Sequence, residues 1–306
     1  MTRVLLTGGA GFLGQNLNEA LVAAGHSVTL VDRTERATVP GLHCLPLTHQ
    51  AALFDLLKAA RIEVVVHLAC GLLPSSGAEA FLREQHEVMA PSFALMDECA
   101  RAGIRFLFVS SGGTVYGDTD VARVREDHAL APRNYYGFSK VALEQYAQFS
   151  HRSHGLDYLV LRPSNLYGQH QRLHGAQGIV AVALGRASSG EPLEIWGDGN
   201  AVRDYLDVRD WSAGVVALLE ALAQSKVRHR TVNIGSGVGH SINEVLALVR
   251  ETTGRELRVH QRPARGIDVR CVVLDTRALA ETIAWAPRPL ATGIHDFWRW
   301  LETNGR

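Results

Sequence analysis

Two patterns in this chain have the residue types and spacing for chemistry. The first is Thr7-Gly8-Gly9-Ala10-Gly11-Phe12-Leu13-Gly14. It satisfies GxxGxxG at Gly8, Gly11 and Gly14, and GxGxxG at Gly9, Gly11 and Gly14. Glycine admits positive φ and lets a pyrophosphate approach the backbone. A helix opening at Phe12 and Leu13 would offer free N–H groups to phosphate oxygens. The pattern alone is weak, and a purely structural glycine turn competes with it. Here it follows a strand, opens a helix, and has Asp32 at the end of the next strand, eighteen residues after Gly14. That context is what a dinucleotide fingerprint requires. A carboxylate there accepts hydrogen bonds from the adenosine ribose and repels a 2′-phosphate. NAD is therefore expected, although Arg33 and Arg36 keep NADP open.

The second pattern is Tyr136-Gly137-Phe138-Ser139-Lys140. Four residues at about 100° each place the phenol and the ammonium about 40° apart on one helix face. Tyr135 is five residues from Lys140, roughly 140° away, and does not share that face. A nearby cation favours the phenolate, so Lys140 is expected to lower the pKa of Tyr136. A tyrosine tuned in this way is a general acid or base. In isolation a tyrosine that merely packs before a lysine is the better reading. Behind a dinucleotide fold it is the weaker one.

These groups need elements to hold them. Strands are expected at Val4–Thr7, Val28–Val31, Glu63–Leu68, Arg105–Ser110 and Tyr158–Arg162. Helices are expected at Phe12–Ala24, Ala90–Ala102 and Lys140–Ser153. Continuous apolar strands separated by helices indicate a parallel sheet covered on both faces. Right-handed crossovers then give a doubly wound α/β (Rossmann) sheet. After Gly168 the texture becomes polar and rich in histidine. The expected division is a dinucleotide-binding domain over 1–168 and a smaller, mainly substrate-binding subdomain over 169–306. Thr231–Ile234 looks like a strand that returns to the main sheet.

The length of 306 residues suits one large domain or two intimate ones. Lys+Arg and Asp+Glu are both 31, which argues against a nucleic-acid partner. A hydrophobic fraction of 46% with 20% charged residues excludes a disordered chain. No apolar run reaches the ~18 residues of a membrane span. Cys44, Cys70, Cys99 and Cys271 lie far apart, without a zinc or disulfide spacing. The first strand begins almost at Met1 with no leader-like segment, so a cytoplasmic location is expected. His170 and His174 sit between Gly168 and Gly175 in a loop-like stretch and are not read as metal ligands.

The sequence also resembles the extended short-chain dehydrogenase/reductase family, in particular its NAD-dependent nucleotide-sugar epimerases and dehydratases of the UDP-glucose 4-epimerase kind. The likeness runs through Thr7–Gly14, Asp32, His67-Leu68-Ala69, Ser110–Gly117 and Tyr136–Lys140. It continues through Arg162–Gly168, Glu194–Gly199, Arg203-Asp204-Tyr205, Asn233-Ile234-Gly235, Arg265–Asp268 and Trp285. The resemblance implies that Leu68 and Ala69 line the cofactor cleft and that Pro163 lies near the nicotinamide. It gives Asn165 to the sugar nucleotide, Arg203 and Arg265 to the diphosphate, and Asp268 to the substrate ribose. Arginine forks suit phosphate, and carboxylates suit ribose hydroxyls.

Several departures matter. The helper hydroxyl of the family falls here on Gly112, which has none. Thr114 is the favoured replacement, Ser111 the next, and a bridging water or the substrate itself the third. The Thr-Asp-Glu of related 4,6-dehydratases is replaced by Gly112-Gly113-Thr114, so dehydration is not expected. Decarboxylation of a UDP-uronate is disfavoured for the same reason. Glu87 stands before Val88 where the family has Asn, and Leu47-Thr48 stands where an acid usually meets adenine.

The resemblance therefore implies epimerisation at C4 of a UDP-hexose with bound NAD. A nucleotide-sugar 4-ketoreductase using NAD(P)H is the alternative, and a non-catalytic dinucleotide sensor a more distant one. A homodimer is expected through the Tyr136–Lys140 helix and the helix before Arg105, with Val141, Leu143, Tyr146 and Phe149 as candidate contacts.

Overall fold

The computed structural model describes residues 1–36, 38–175, 177–224, 226–227, 230–264 and 269–304. The chain begins β1 (Arg3–Thr7), α1 (Phe12–Ala23), β2 (Ser27–Asp32), β3 (Leu42–Cys44), α2 (Gln50–Ala59), β4 (Val64–His67) and α3 (Ala78–Glu84). A π-helical turn, Gln85–Met89, joins α3 to α4 (Ala90–Ala102). β5 (Arg105–Val109), α5 (Tyr135–His154), β6 (Tyr158–Pro163), β7 (Asn165–Tyr167), α6 (Ile179–Ser189) and β8 (Leu193–Trp196) follow. The remainder is β9 (Val202–Asp207), α7 (Val208–Ala223), β10 (Thr231–Ile234), β11 (Gly239–Ser241), α8 (Ile242–Thr253), β12 (Val259–Arg262), β13 (Cys271–Val272), α9 (Arg277–Ala280) and α10 (Leu290–Asn304).

Seven strands form one parallel sheet in the order β10-β6-β5-β4-β1-β2-β3. Successive side chains of a strand point to opposite faces, and here both faces are buried. Val4, Leu6, Val64, Val66, Leu107 and Val109 pack against Leu17 and Leu21 of α1 and Trp211 and Val215 of α7. Leu5, Val65, Phe106 and Phe108 pack on the other side against α2, α4 and α5 through Leu57, Leu95 and Leu143. This two-sided cover is why the strands read as unbroken apolar runs. β10 and α7 return from the second half of the chain to this sheet and its cover.

The rest of the second half has its own core. Leu184 of α6, Val245 of α8 and Phe297 of α10 meet there over β8 and β9. β9 pairs with β7, β11 and β13, and β8 pairs with β12. Chain order reverses beside β1, with β2 on one side and β4 on the other. The crevice outside the strand ends at such a point is where α/β sheets take ligands.

Candidate functional site

The glycine turn leaves β1 and enters α1 within a few residues. Gly8 has φ +72°, and a Cβ on it would stand 3.0 Å from the backbone nitrogen of Ala69. A Cβ on Gly14 would press on the Gly8 carbonyl and lie 2.6 Å from the Gly9 oxygen. Both positions therefore exclude a side chain, one by conformation and closeness, the other by packing of helix on turn. Gly11 caps α1 with no side-chain hydrogen bond. The positive end of the helix at Phe12 and Leu13 is thus presented by backbone alone, as an anion site requires.

A cleft of about 460 Å³ runs along this turn. Gly8 and Gly11 form one wall, and Leu68, Ala69, Cys70 and Gly71 face them. Asp32, Arg33 and Leu45–Thr48 close one end, with Glu87 and Val88 beside them. The Asp32 carboxylate accepts from Ala10 N at 3.1 Å, and from Thr34 N and Oγ1 at 3.3 and 3.2 Å. These bonds hold Asp32 in the lining of the cleft, at the end where a ribose would lie. The cradle that a Cβ would fill, the uncapped helix and this placed carboxylate together fit a dinucleotide.

His67 fixes the wall opposite. Its Nδ1 lies 2.8 Å from Thr7 Oγ1 and its Nε2 2.9 Å from Ser92 Oγ. Ser92 already donates to the Val88 carbonyl at 2.6 Å, so it accepts from Nε2–H, and Thr7 donates to Nδ1. Thr7 Oγ1 in turn accepts from the backbone nitrogens of Leu68 and Ala69 at 3.3 and 3.4 Å. Burial, and then the charge of Lys140, push the His67 imidazole down to about 3.

Tyr136 and Lys140 lie in the first turns of α5. Asn134 caps that helix by accepting from Gly137 N at 2.8 Å. The Lys140 ammonium donates to the Val109 carbonyl at 3.0 Å and sits 5.7 Å from the Tyr136 ring centre. Burial opposes its charge, but Cys70, Tyr136, Glu84 and Glu144 face it and hold its pKa above the ordinary value. Burial raises the Tyr136 phenol, while Lys140 and a hydrogen bond from Ser111 pull it down. The net direction is upward. Lys140 pulls the phenol down as expected, but desolvation outweighs it.

One turn beyond Lys140, Glu144 anchors α5 to the sheet. It accepts from Ser110 Oγ at 2.5 Å and from Arg162 of β6 at 2.6 Å. Arg162 also donates to Tyr116 Oη, which donates to Asn233 of β10. Lone buried charges are costly, and these are paired and bonded on every side.

The candidate helpers separate. Ser111 hydrogen-bonds Tyr136, whereas Thr114 Oγ1 is sealed from solvent with no partner among the described residues. The glycine at 112 has a packing cause. Its N–H donates to the Pro163 carbonyl at 2.8 Å, and a Cβ there would meet Leu274 at 2.7 Å and the Arg162 oxygen at 3.0 Å. Asn165 donates to the Asp204 carbonyl at 3.1 Å, and its amide lies about 3.5 Å from where a Cβ on Gly113 would stand. Arg203 donates to the carbonyls of Val202, Val269 and Arg270. Arg265 and Asp268 lie outside the described residues.

Residues 4–235 match the profile of the NAD dependent epimerase/dehydratase family. The chain belongs to that family. The UDP-glucose 4-epimerase of Mycolicibacterium smegmatis is 30% identical over 95% of this chain and 96% of its own length. The solved UDP-glucose 4-epimerase of Thermotoga maritima with UDP-glucose has a TM-score of 0.91 and 29% identity, covering 100% of both chains. That of Thermus thermophilus in complex with NAD has a TM-score of 0.87 and 30% identity, covering 97% of this chain and 99% of that one. As a family member the chain is an NAD-dependent enzyme, and the cleft beside the glycine turn fits that cofactor.

Sequence reasoning passed over Glu84. It is buried, accepts from Gly71 N at 2.8 Å, and faces both Cys70 and Lys140. Glu84, Val88 and Ser92 recur every four residues and are all buried. That spacing was the signal that an acid lay on an inward helix face.

Proposed function

We propose that the protein is a UDP-sugar 4-epimerase acting through a transient 4-keto sugar. One observation carries the reading: Tyr136, Lys140 and Ser111 converge beside the cleft wall at Cys70, in a segment with no acid at Gly112-Gly113-Thr114. Bound NAD would supply the two-electron acceptor and donor. Tyr136 removes the proton of the sugar 4-hydroxyl and later returns it. Lys140 and Ser111 oppose the effect of burial and so favour the phenolate that a base requires. The geometry favours Ser111 over Thr114 as the hydroxyl at the sugar 4-oxygen. Without an acid in that segment, elimination of water has no group to drive it.

Gly8, Gly11, Phe12, Leu13, Gly14, Asp32, Arg33, Leu68, Ala69, Tyr136, Lys140 and Pro163 hold the cofactor in this reading. Asn165 and Arg203 hold the sugar nucleotide, as do Arg265 and Asp268 on resemblance alone. UDP is the nucleotide favoured by the names of the relatives. Residues 1–168 serve the cofactor, and 169–306 mainly the substrate. The location is cytoplasmic; among the described residues no helix is long and apolar enough to cross a membrane. The assembly is a homodimer through α5 and α4, the helix before Arg105.

The test needs purified protein with nothing added. The expected result is NAD released on denaturation, and UDP-glucose and UDP-galactose interconverted with no net change in nicotinamide absorbance. Tyr136→Phe should lower turnover by about 10²–10⁴-fold and leave bound NAD near wild type. Full turnover in that variant would overturn the mechanism. A requirement for added NAD(P)H to reduce a 4-keto sugar would replace the epimerase with a reductase.

A further inference from the structure

Asp32 disfavours a 2′-phosphate, while Arg33 and Arg36 have the charge to attract one. Both arginines are tied down. Arg36 Nη1 donates to the Ala10 carbonyl at 2.9 Å. Arg33 Nη1 donates to Glu87 Oε2 at 3.0 Å, 54 positions along the chain. Its guanidinium nitrogens lie 3.7 and 3.8 Å from where a Cβ on Gly71 would stand. Arg33 leaves the end of β2, Glu87 leaves the π-helical turn, and both line the cleft. The ion pair thus crosses the adenosine end from one wall to the other, passing over Gly71.

We propose that Glu87 determines dinucleotide choice, by holding Arg33 across the cleft in an ion pair and so denying that guanidinium to a 2′-phosphate. The proposal rests on the dinucleotide reading of this cleft and extends it from Asp32 to a second acid. An asparagine at 87 has no charge with which to hold a guanidinium. A glutamate here therefore hydrogen-bonds an arginine that the nearby Glu84 also attracts, and keeps its donors from a 2′-phosphate. Glu87 of the π-helical turn lines the cleft, while Glu84 just before that turn stays buried.

The experiment reads binding, apart from turnover. The full chain is equilibrated with equal, excess NAD and NADP until the bound ratio is constant. It is then freed of unbound dinucleotide and denatured, and the released molecules are separated and counted. Wild type is expected to hold mainly NAD. Glu87→Gln should raise the NADP-to-NAD ratio roughly tenfold, the worth of one charge-assisted bond to phosphate. Adding Arg33→Ala to Glu87→Gln should return the ratio to that of wild type. An unchanged ratio in Glu87→Gln overturns the proposal. A rise that survives removal of Arg33 overturns it too, since Glu87 would then repel the phosphate directly. Wild type holding neither dinucleotide would sink the cofactor reading and this proposal together, whereas loss of epimerisation with NAD still bound bears only on the reaction.

Discussion

Ser111 and Thr114 stand three residues apart, and their surroundings assign them different work. The Thr114 hydroxyl is buried without a described partner, and such a group costs about 1–3 kcal/mol. Thr114→Val removes the hydroxyl while keeping the shape. It is expected to leave kcat within about threefold of wild type and stability equal or higher by up to ~1 kcal/mol. Ser111→Ala removes the bond to Tyr136 and is expected to lower kcat about 10²-fold with little change in KM. Steady-state kinetics and thermal melts of the two variants decide it. The reverse pattern would restore Thr114 as the helper. The Tyr136–Lys140 pair was legible because four-residue spacing on a helix is a geometric fact. The direction of the Tyr136 pKa was not, since burial outweighs Lys140 and the further upward push comes from Cys70 and Glu84, far away along the chain.

At the scale of elements, His67 joins β1 through Thr7 and α4 through Ser92, and it does so as a neutral ring. Its pKa falls from the ordinary 6.5 to about 3 in the folded protein. A histidine depressed on folding gives stability that is complete above the unfolded pKa and is lost as pH falls through the folded one. Stability is therefore expected to fall from about pH 6.5 toward pH 3, by up to a few kcal/mol from this ring. His67→Gln should cost stability at pH 7 and flatten that acid limb; denaturant melts across the range would show it. An equally steep limb in the variant would place the acid sensitivity elsewhere.

Most elements of the first half were legible for a simple reason: β1, β4, β5 and β6 are buried on both faces, so their apolar runs are unbroken. Ala90–Ala102 appears with the bounds its sequence suggested. α5 starts earlier than the Lys140–Ser153 reading, because Asn134 caps it ahead of the exposed Tyr135 and Phe138. The π-helical turn leaves no mark on apolar periodicity, since its extra residue is absorbed between α3 and α4. The fate of Arg33 was hidden as well, because its partner lies two strands away.

For the whole molecule, the outer face of α5 is where a second copy would sit. Leu143, one of the expected contacts, is turned inward onto the sheet and is 2% exposed. Phe138 and Phe149 are 51% and 45% exposed, and Phe81 of α3 meets the first of them edge-on at 5.7 Å. Sedimentation equilibrium is expected to give a dimer at micromolar concentration. Phe138→Glu with Phe149→Glu should shift it to monomer, weakening association at least about 10²-fold, the scale of two buried aromatic anchors. A wild type that sediments as a monomer would remove this face from consideration.

The same architecture has a temporal side. β6 must wait for β10 as its outer neighbour, and the chain between Pro163 and Thr231 has to be synthesised first. At about 5–20 residues per second that is several seconds on the ribosome. Throughout that interval every residue from Tyr158 to Pro163, buried in the finished sheet, borders an unpaired edge. Such an edge invites pairing with a foreign strand. Slow or stalled translation of the 169–230 segment would therefore lower the yield of native protein, even though that segment supplies no strand to the sheet.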